Sequence, residues 1–153
     1  MSAPAPIAPP ALTGARRFEL IALFGLLTVF TPIAVDLYMP AFPAMAREFG
    51  TPVATIEHSL AAYFLGMALG QAAIGPLSDR YGRRRPLAAG MLLYVLGSVA
   101  CAVAPGPLTL DAARVFQALG GCASTVLARA CVRDIFPPGE AARIFAQMLL
   151  ILS

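Results

Sequence analysis

The sequence predicts an all-α membrane protein with four spanning helices and the start of a fifth, and three observations carry that expectation. Its 153 residues are 59% hydrophobic and only 12% charged, with a mean hydropathy of +0.77, a composition outside that of soluble domains. The apolar residues gather in blocks close to the roughly 20 residues that a helix needs to cross a bilayer. Between two of these blocks, Ser59–Leu77 and Leu87–Ala104, the segment Gly75–Pro86 packs five charges, two glycines and two prolines. A connection so short and basic belongs at a membrane surface, where it orients its neighbours.

Met1–Gly14 is rich in Ala and Pro and lacks an apolar centre, so residues 1–17 read as a disordered cytoplasmic tail ending in Arg16 and Arg17. The first span is expected at about Phe18–Met39. It is long for the apolar region of a signal peptide, lacks a small-x-small cleavage site, and precedes further spans. Pro40 and Pro43 are expected to end it. Gly50-Thr51-Pro52 then breaks the chain before the second span, Thr55–Leu77. The third, Pro86–Ala104, leads through the tight Pro105-Gly106-Pro107 turn into the fourth, Leu110–Arg133, which Pro137-Pro138-Gly139 terminates. An incomplete fifth span is expected from residue 141, too short to cross before Ser153. Ala62, Gly66 and Gly70 share one face of the second span. With Gly97, Gly120, Gly121 and Ser124 they let helix backbones approach closely.

Every basic residue is Arg, and the arginines follow the ends of the spans. Arg16 and Arg17 precede the first; Arg80, Arg83, Arg84 and Arg85 follow the second; Arg129, Arg133 and Arg143 flank the end of the fourth. The other side carries Arg47 with Glu48, Glu57 and Asp111. The N-terminus is therefore expected in the cytoplasm. The net charge of +3 serves this topology and not nucleic-acid binding. Cys101, Cys122 and Cys131 lie in or beside apolar blocks without metal-type spacing and read as free thiols. His58 stands alone, no nucleophile-and-base pattern occurs, and neither a cofactor, a metal nor an enzymatic activity is expected.

Charges near the hydrocarbon mark the candidate site. Asp36 ends an otherwise uncharged run, and a carboxylate there must face a wet cavity, pair with a cation or take up a proton. The alternative is an interfacial carboxylate that merely ends the span. Arg114 lies about one turn into the fourth span, with Gln117, Gly121 and Ser124 following at helical spacing. It either snorkels to the outer surface or forms a polar wall facing inward, within reach of Asp36 directly or through water. Asp79 and Arg83 sit four residues apart at the basic turn, and Asp134 lies at the same end of the fourth span. A solvated turn serving topology would account for the arginines, but not for Gly75, Asp79 and Gly82 among them.

Gly75-Pro76-Leu77-Ser78-Asp79-Arg80-Tyr81-Gly82-Arg83-Arg84-Arg85 resembles the loop motif between the second and third helices of the major facilitator superfamily. Arg114-Val115-Phe116-Gln117-Ala118-Leu119-Gly120-Gly121 resembles its fourth-helix motif, departing at Ala118 where the family commonly has Gly. Asp36-Leu37-Tyr38-Met39-Pro40-Ala41-Phe42-Pro43 and Arg129…Arg133-Asp134-Ile135-Phe136-Pro137 are similar to the bicyclomycin-resistance type of drug:proton antiporters. The resemblance implies the N-terminal part of a twelve-helix transporter of the bacterial cytoplasmic membrane. Its partners would be a small-molecule substrate, protons, the lipid bilayer and the remaining C-terminal helices.

By the same resemblance, Asp36 would be a protonation and cation-recognition site, and Arg114, with Gln117 beside it, the group coupling protonation to substrate release. Gly75, Asp79, Arg80, Gly82, Arg83, Arg84 and Asp134 would form a cytoplasmic latch that closes in one conformation and breaks in the other. The antiporter Gly/Pro motif of the family's fifth helix would lie beyond Ser153. A metabolite facilitator of the same fold and a non-transporting membrane fragment are the competing expectations.

Overall fold

A computed structural model describes the protein over residues 14–152, and throughout that range every element is helical. The helices are α1 (Gly14–Asp36), α2 (Phe42–Glu48), α3 (Val53–Tyr81), α4 (Arg84–Ala102), α5 (Pro107–Ile135) and α6 (Pro138–Leu152), with a 3-10 turn, Met39–Ala41, between α1 and α2. Four helical segments are long and apolar enough to cross a membrane. The chain forms a bundle organised around α5, whose neighbours are α3, α4, α1 and α6. Of the most apolar stretch of α5, 67% is buried, against 17% for α3 and α4. Leu65, Leu69, Leu92, Leu96 and Val99 are more than half exposed, which suits helices whose outer faces meet lipid or further helices.

The boundaries differ from the expected ones in a consistent way. α1 begins at Gly14, so Arg16 and Arg17 belong to its first turns and not to a disordered tail; residues 1–13 of that tail lie outside the described residues. At the Arg-rich end α3 runs past its expected limit of Leu77 to Tyr81, and α5 past Arg133 to Ile135. Backbone hydrogen bonding does not stop where hydropathy does, so a helix continues into the headgroup region until a breaker intervenes. The first helix ends at Asp36, before either proline. Pro40 lies within the 3-10 turn and Pro43 in the first turn of α2, where a missing N–H costs nothing.

Small residues bring α5 against its neighbours. A Cβ on Gly66 would lie 2.9 Å from the Ala118 Cβ, and one on Gly97 would lie 2.6 Å from the Gln117 Cα. Gly70 and Gly90 likewise leave no room against Cys122 and Ala123. With no hydrophobic drive between helices inside lipid, such close backbone approach is a main source of association. Three apolar clusters complete the bundle: Phe24, Val132, Phe136 and Ile144 at the Arg-rich end, Ile74, Cys122 and Leu127 in the middle, and Phe42, Ala46 and Ile56 at the opposite end.

Candidate functional site

The polar groups of α5 line the wall of a cavity of about 410 Å³ at the end of the bundle away from the arginine cluster. Arg114 is 4% exposed and Gln117 7%, so the guanidinium faces inward and does not snorkel outward. Its Nη1 donates to Gln117 Oε1 at 2.7 Å, and Gln117 Nε2 donates onward to Ser98 Oγ on α4 at 2.8 Å. Ser98 in turn donates to the Tyr94 carbonyl. Gly97, beside Ser98, provides the close approach that lets this relay cross from α5 to α4. Helical spacing places Ser124 two turns further along the same buried side, where its hydroxyl caps the Gly121 carbonyl.

The guanidinium also lies over aromatic rings. Its central carbon is 3.2 Å from the centroid of the Tyr38 ring and 5.6 Å from that of Tyr63. Arg114 Nε has no hydrogen-bond partner among the described residues. A desolvated cation–π contact is worth about 2 kcal/mol, and a hydrogen bond from a charged donor about 1.5–3 kcal/mol. Together they offset part of the cost of a buried charge. No ion pair joins Arg114 to Asp36 among the described residues: Asp36 closes α1 with its side chain exposed. Tyr38, Tyr63 and Ser98 are the site residues that the sequence reading did not single out. Tyr38 carried a signal, a polar aromatic two residues after Asp36, the carboxylate at the end of the first span. Ser98 offered only its place beside Gly97.

At the Arg-rich end, the structure brings Asp79, Arg83 and Asp134 together. Arg83 Nη1 lies 2.9 Å from Asp79 Oδ1, and Arg83 Nε 3.1 Å from Asp134 Oδ2. Nη1 also donates to Ser78 Oγ. Both carboxylates sit in the last turns of their helices, where the macrodipole is negative and disfavours an anion. One guanidinium compensates both. Gly82 makes this possible: its φ of +78°, paired with a ψ of 168°, is a conformation only glycine adopts readily, and it swings the chain from the end of α3 into α4. Asp134 first, through its hydrogen bond, and Asp79 through its field raise the Arg83 pKa further above its usual value. Arg80 leans over the Tyr81 ring, while Arg84 and Arg85 are exposed at the start of α4 and touch neither carboxylate. Gly75 faces open space within this chain. The elements thus bring together three of the seven residues expected in a latch.

The three cysteines are free, and no group of three metal-ligating side chains occurs among the described residues. A helical bundle with exposed apolar flanks and a buried cation on a cavity wall is the make-up of a multi-pass membrane protein. Residues 24–152 match the family model of the Major Facilitator Superfamily, and the chain belongs to that family, one of membrane transporters and not of enzymes. Over 91% of its length it is 38% identical to an uncharacterized MFS-type transporter of Bacillus subtilis (strain 168), covering 35% of that protein. It is 37% identical to a chloramphenicol resistance protein of Pseudomonas aeruginosa over 87% of the chain and 32% of the relative. A bicyclomycin resistance protein homolog of Haemophilus influenzae is 28% identical over 88% of the chain and 34% of the relative. The chain spans about a third of the length of the curated relatives it matches. That share fits the first four helices and the start of a fifth in a twelve-helix fold.

Proposed function

We propose that this chain forms the N-terminal part of a proton-coupled exporter of drugs or small metabolites, working by alternating access across the bacterial cytoplasmic membrane. The observation that carries the proposal is Arg114, a buried guanidinium on a cavity wall with no carboxylate partner among the described residues, near the helix end that bears Asp36. A buried cation without a counter-ion is costly, and in membrane proteins such groups mark ion and substrate pathways. Asp36 takes up a proton from the outer side, and Arg114 couples that uptake to release of the substrate. At the other end, the Arg83 pairs hold the closed state. Each exposed pair is worth only about 0.2–1 kcal/mol, enough to bias two conformations separated by a few kcal/mol. The arginine distribution supports a cytoplasmic N-terminus, which puts the latch inside and the cavity of Arg114 toward the outside.

Relatives named for chloramphenicol and bicyclomycin resistance make such compounds the first substrates to try. The test adds chloramphenicol to the detergent-solubilised full-length protein in weakly buffered solution with a pH-sensitive dye. Proton release on drug binding is expected. Drug binding without proton release contradicts the antiport reading and leaves a facilitator of the same fold.

A further inference from the structure

Arg114 has an aromatic partner where a carboxylate would be the obvious one. Its guanidinium carbon is 3.2 Å from the Tyr38 ring centroid. The ring is held from three sides. Ser59 Oγ spends its own proton on the Ile56 carbonyl, so at 2.6 Å it accepts from the Tyr38 hydroxyl. Ser59 is fully buried. Phe42 packs edge-on against the ring at 4.9 Å and 78°. The turn after α1 is thereby tied to α3 through Ser59 and to α5 through Arg114. Asp36, two residues before Tyr38, stays exposed and makes no ion pair among the described residues.

We infer that Tyr38 is a positioning residue: its ring is the resting partner of the Arg114 guanidinium, keeps Asp36 uncommitted for protonation, and so sets the pH at which drug binding releases a proton. This deepens the proposed antiport and rests on it for its pH arm. The other groups that face Arg114 are Tyr63 on α3, Tyr94 and Cys101 on α4, and Gln117 on α5 itself. None is a carboxylate. The other ionisable groups at this end are Arg47, Glu48, Glu57, His58 and Asp111; Asp111 lies three residues before Arg114 on α5, with its Oδ1 buried and without a hydrogen-bond partner among the described residues. The Tyr38 ring covers the face of Arg114 toward the turn after α1, the turn that Asp36 precedes, so its removal opens that face to Asp36, and a guanidinium nearby favours the ionised carboxylate.

The test uses the full-length transporter labelled with ¹⁵N-arginine. The Nε–H proton of Arg114, assigned by its loss in Arg114→Lys, should resonate upfield of the exposed arginines because of the Tyr38 ring current. Tyr38→Phe should keep that shift and Tyr38→Leu should abolish it. In the same preparations, Tyr38→Leu should lower the pH midpoint of chloramphenicol-induced proton release by about one pH unit or more, with Tyr38→Phe close to wild type. An unshifted Arg114 signal in the wild type overturns the inference without any variant having to fold. So does a shift that survives Tyr38→Leu, or a midpoint that Tyr38→Leu leaves in place. Wild-type protein that binds chloramphenicol without releasing a proton counts against the antiport reading instead, and the resonance still decides the role of Tyr38.

Discussion

Replacing Gly120 by Ala tests whether backbone contact between α4 and α5 organises the bundle. The new Cβ would lie 2.5 Å from the Gly90 carbonyl oxygen and 2.9 Å from the Leu93 carbonyl carbon, and would overlap the Tyr94 amide nitrogen. Ordinary contact begins at 3.4 Å, so α4 must retreat by about 1 Å along a close-packed seam. All three obstacles are backbone, and no rotamer change relieves them. Inserting a methyl into such a site costs about 1–3 kcal/mol, and the better helix propensity of Ala offsets about 1 kcal/mol of that. The net loss is then up to about 2 kcal/mol. Gly75 supplies the control within this chain, because a Cβ there meets nothing and Gly75→Ala should gain up to about 1 kcal/mol from propensity alone. Helicity followed by circular dichroism, as sodium dodecyl sulfate displaces a mild detergent, should show Gly120→Ala unfolding first and Gly75→Ala last. Coincident transitions, or the reverse order, would refute the argument that α5 is held by backbone approach.

The latch and the polar wall make their own predictions. In a double-mutant cycle on the full-length protein, Arg83→Ala and Asp134→Asn should couple by about 0.2–1 kcal/mol in the balance between inward- and outward-open states. Cysteine accessibility on the two sides of the membrane reads that balance, and additive effects would contradict a direct pair. Because the Arg83 pKa is raised, its contribution is fully present below the unfolded value and is lost only as pH climbs through the still higher folded one. The balance should therefore show no loss of Arg83's contribution between about pH 7 and about pH 9; an alkaline collapse in that range that Arg83→Ala removes would contradict the assignment. Gln117→Leu removes the hydrogen-bond acceptor of a buried guanidinium and should lower stability by about 1.5–3 kcal/mol in the same detergent titration. Gln117→Glu should instead stabilise the protein while arresting transport, since it gives Arg114 a fixed carboxylate; transport at the wild-type rate would count against the coupling role of Arg114.

The sequence announces the helices because hydropathy and breakers act locally, and the Arg-rich end because topology is encoded in charge. Asp79, Arg83 and Asp134 could be placed at one end of the bundle for the same reason. What was hidden depends on tertiary approach. Pro40 and Pro43 looked like the end of the first span, but Asp36 ends it, and the prolines instead shape the turn and α2 that follow. Only that turn carries Tyr38 to Arg114 on α5. Arg114 itself could be read as snorkelling or inward-facing, and nothing local decides between them. The choice is made by Gly97, which lets Gln117 reach Ser98, and by Tyr38, whose ring covers the guanidinium. Arg80, Arg84 and Gly75 show the converse, since motif membership alone does not make a residue touch the ion pairs.

Coupling itself is tested most directly in proteoliposomes of the full-length transporter, preloaded with radiolabelled chloramphenicol and subjected to an imposed pH gradient. Drug movement driven by the gradient, lost in Asp36→Asn while drug exchange at equal pH persists, is the result this account predicts. Gradient-driven movement that survives Asp36→Asn unchanged would contradict it.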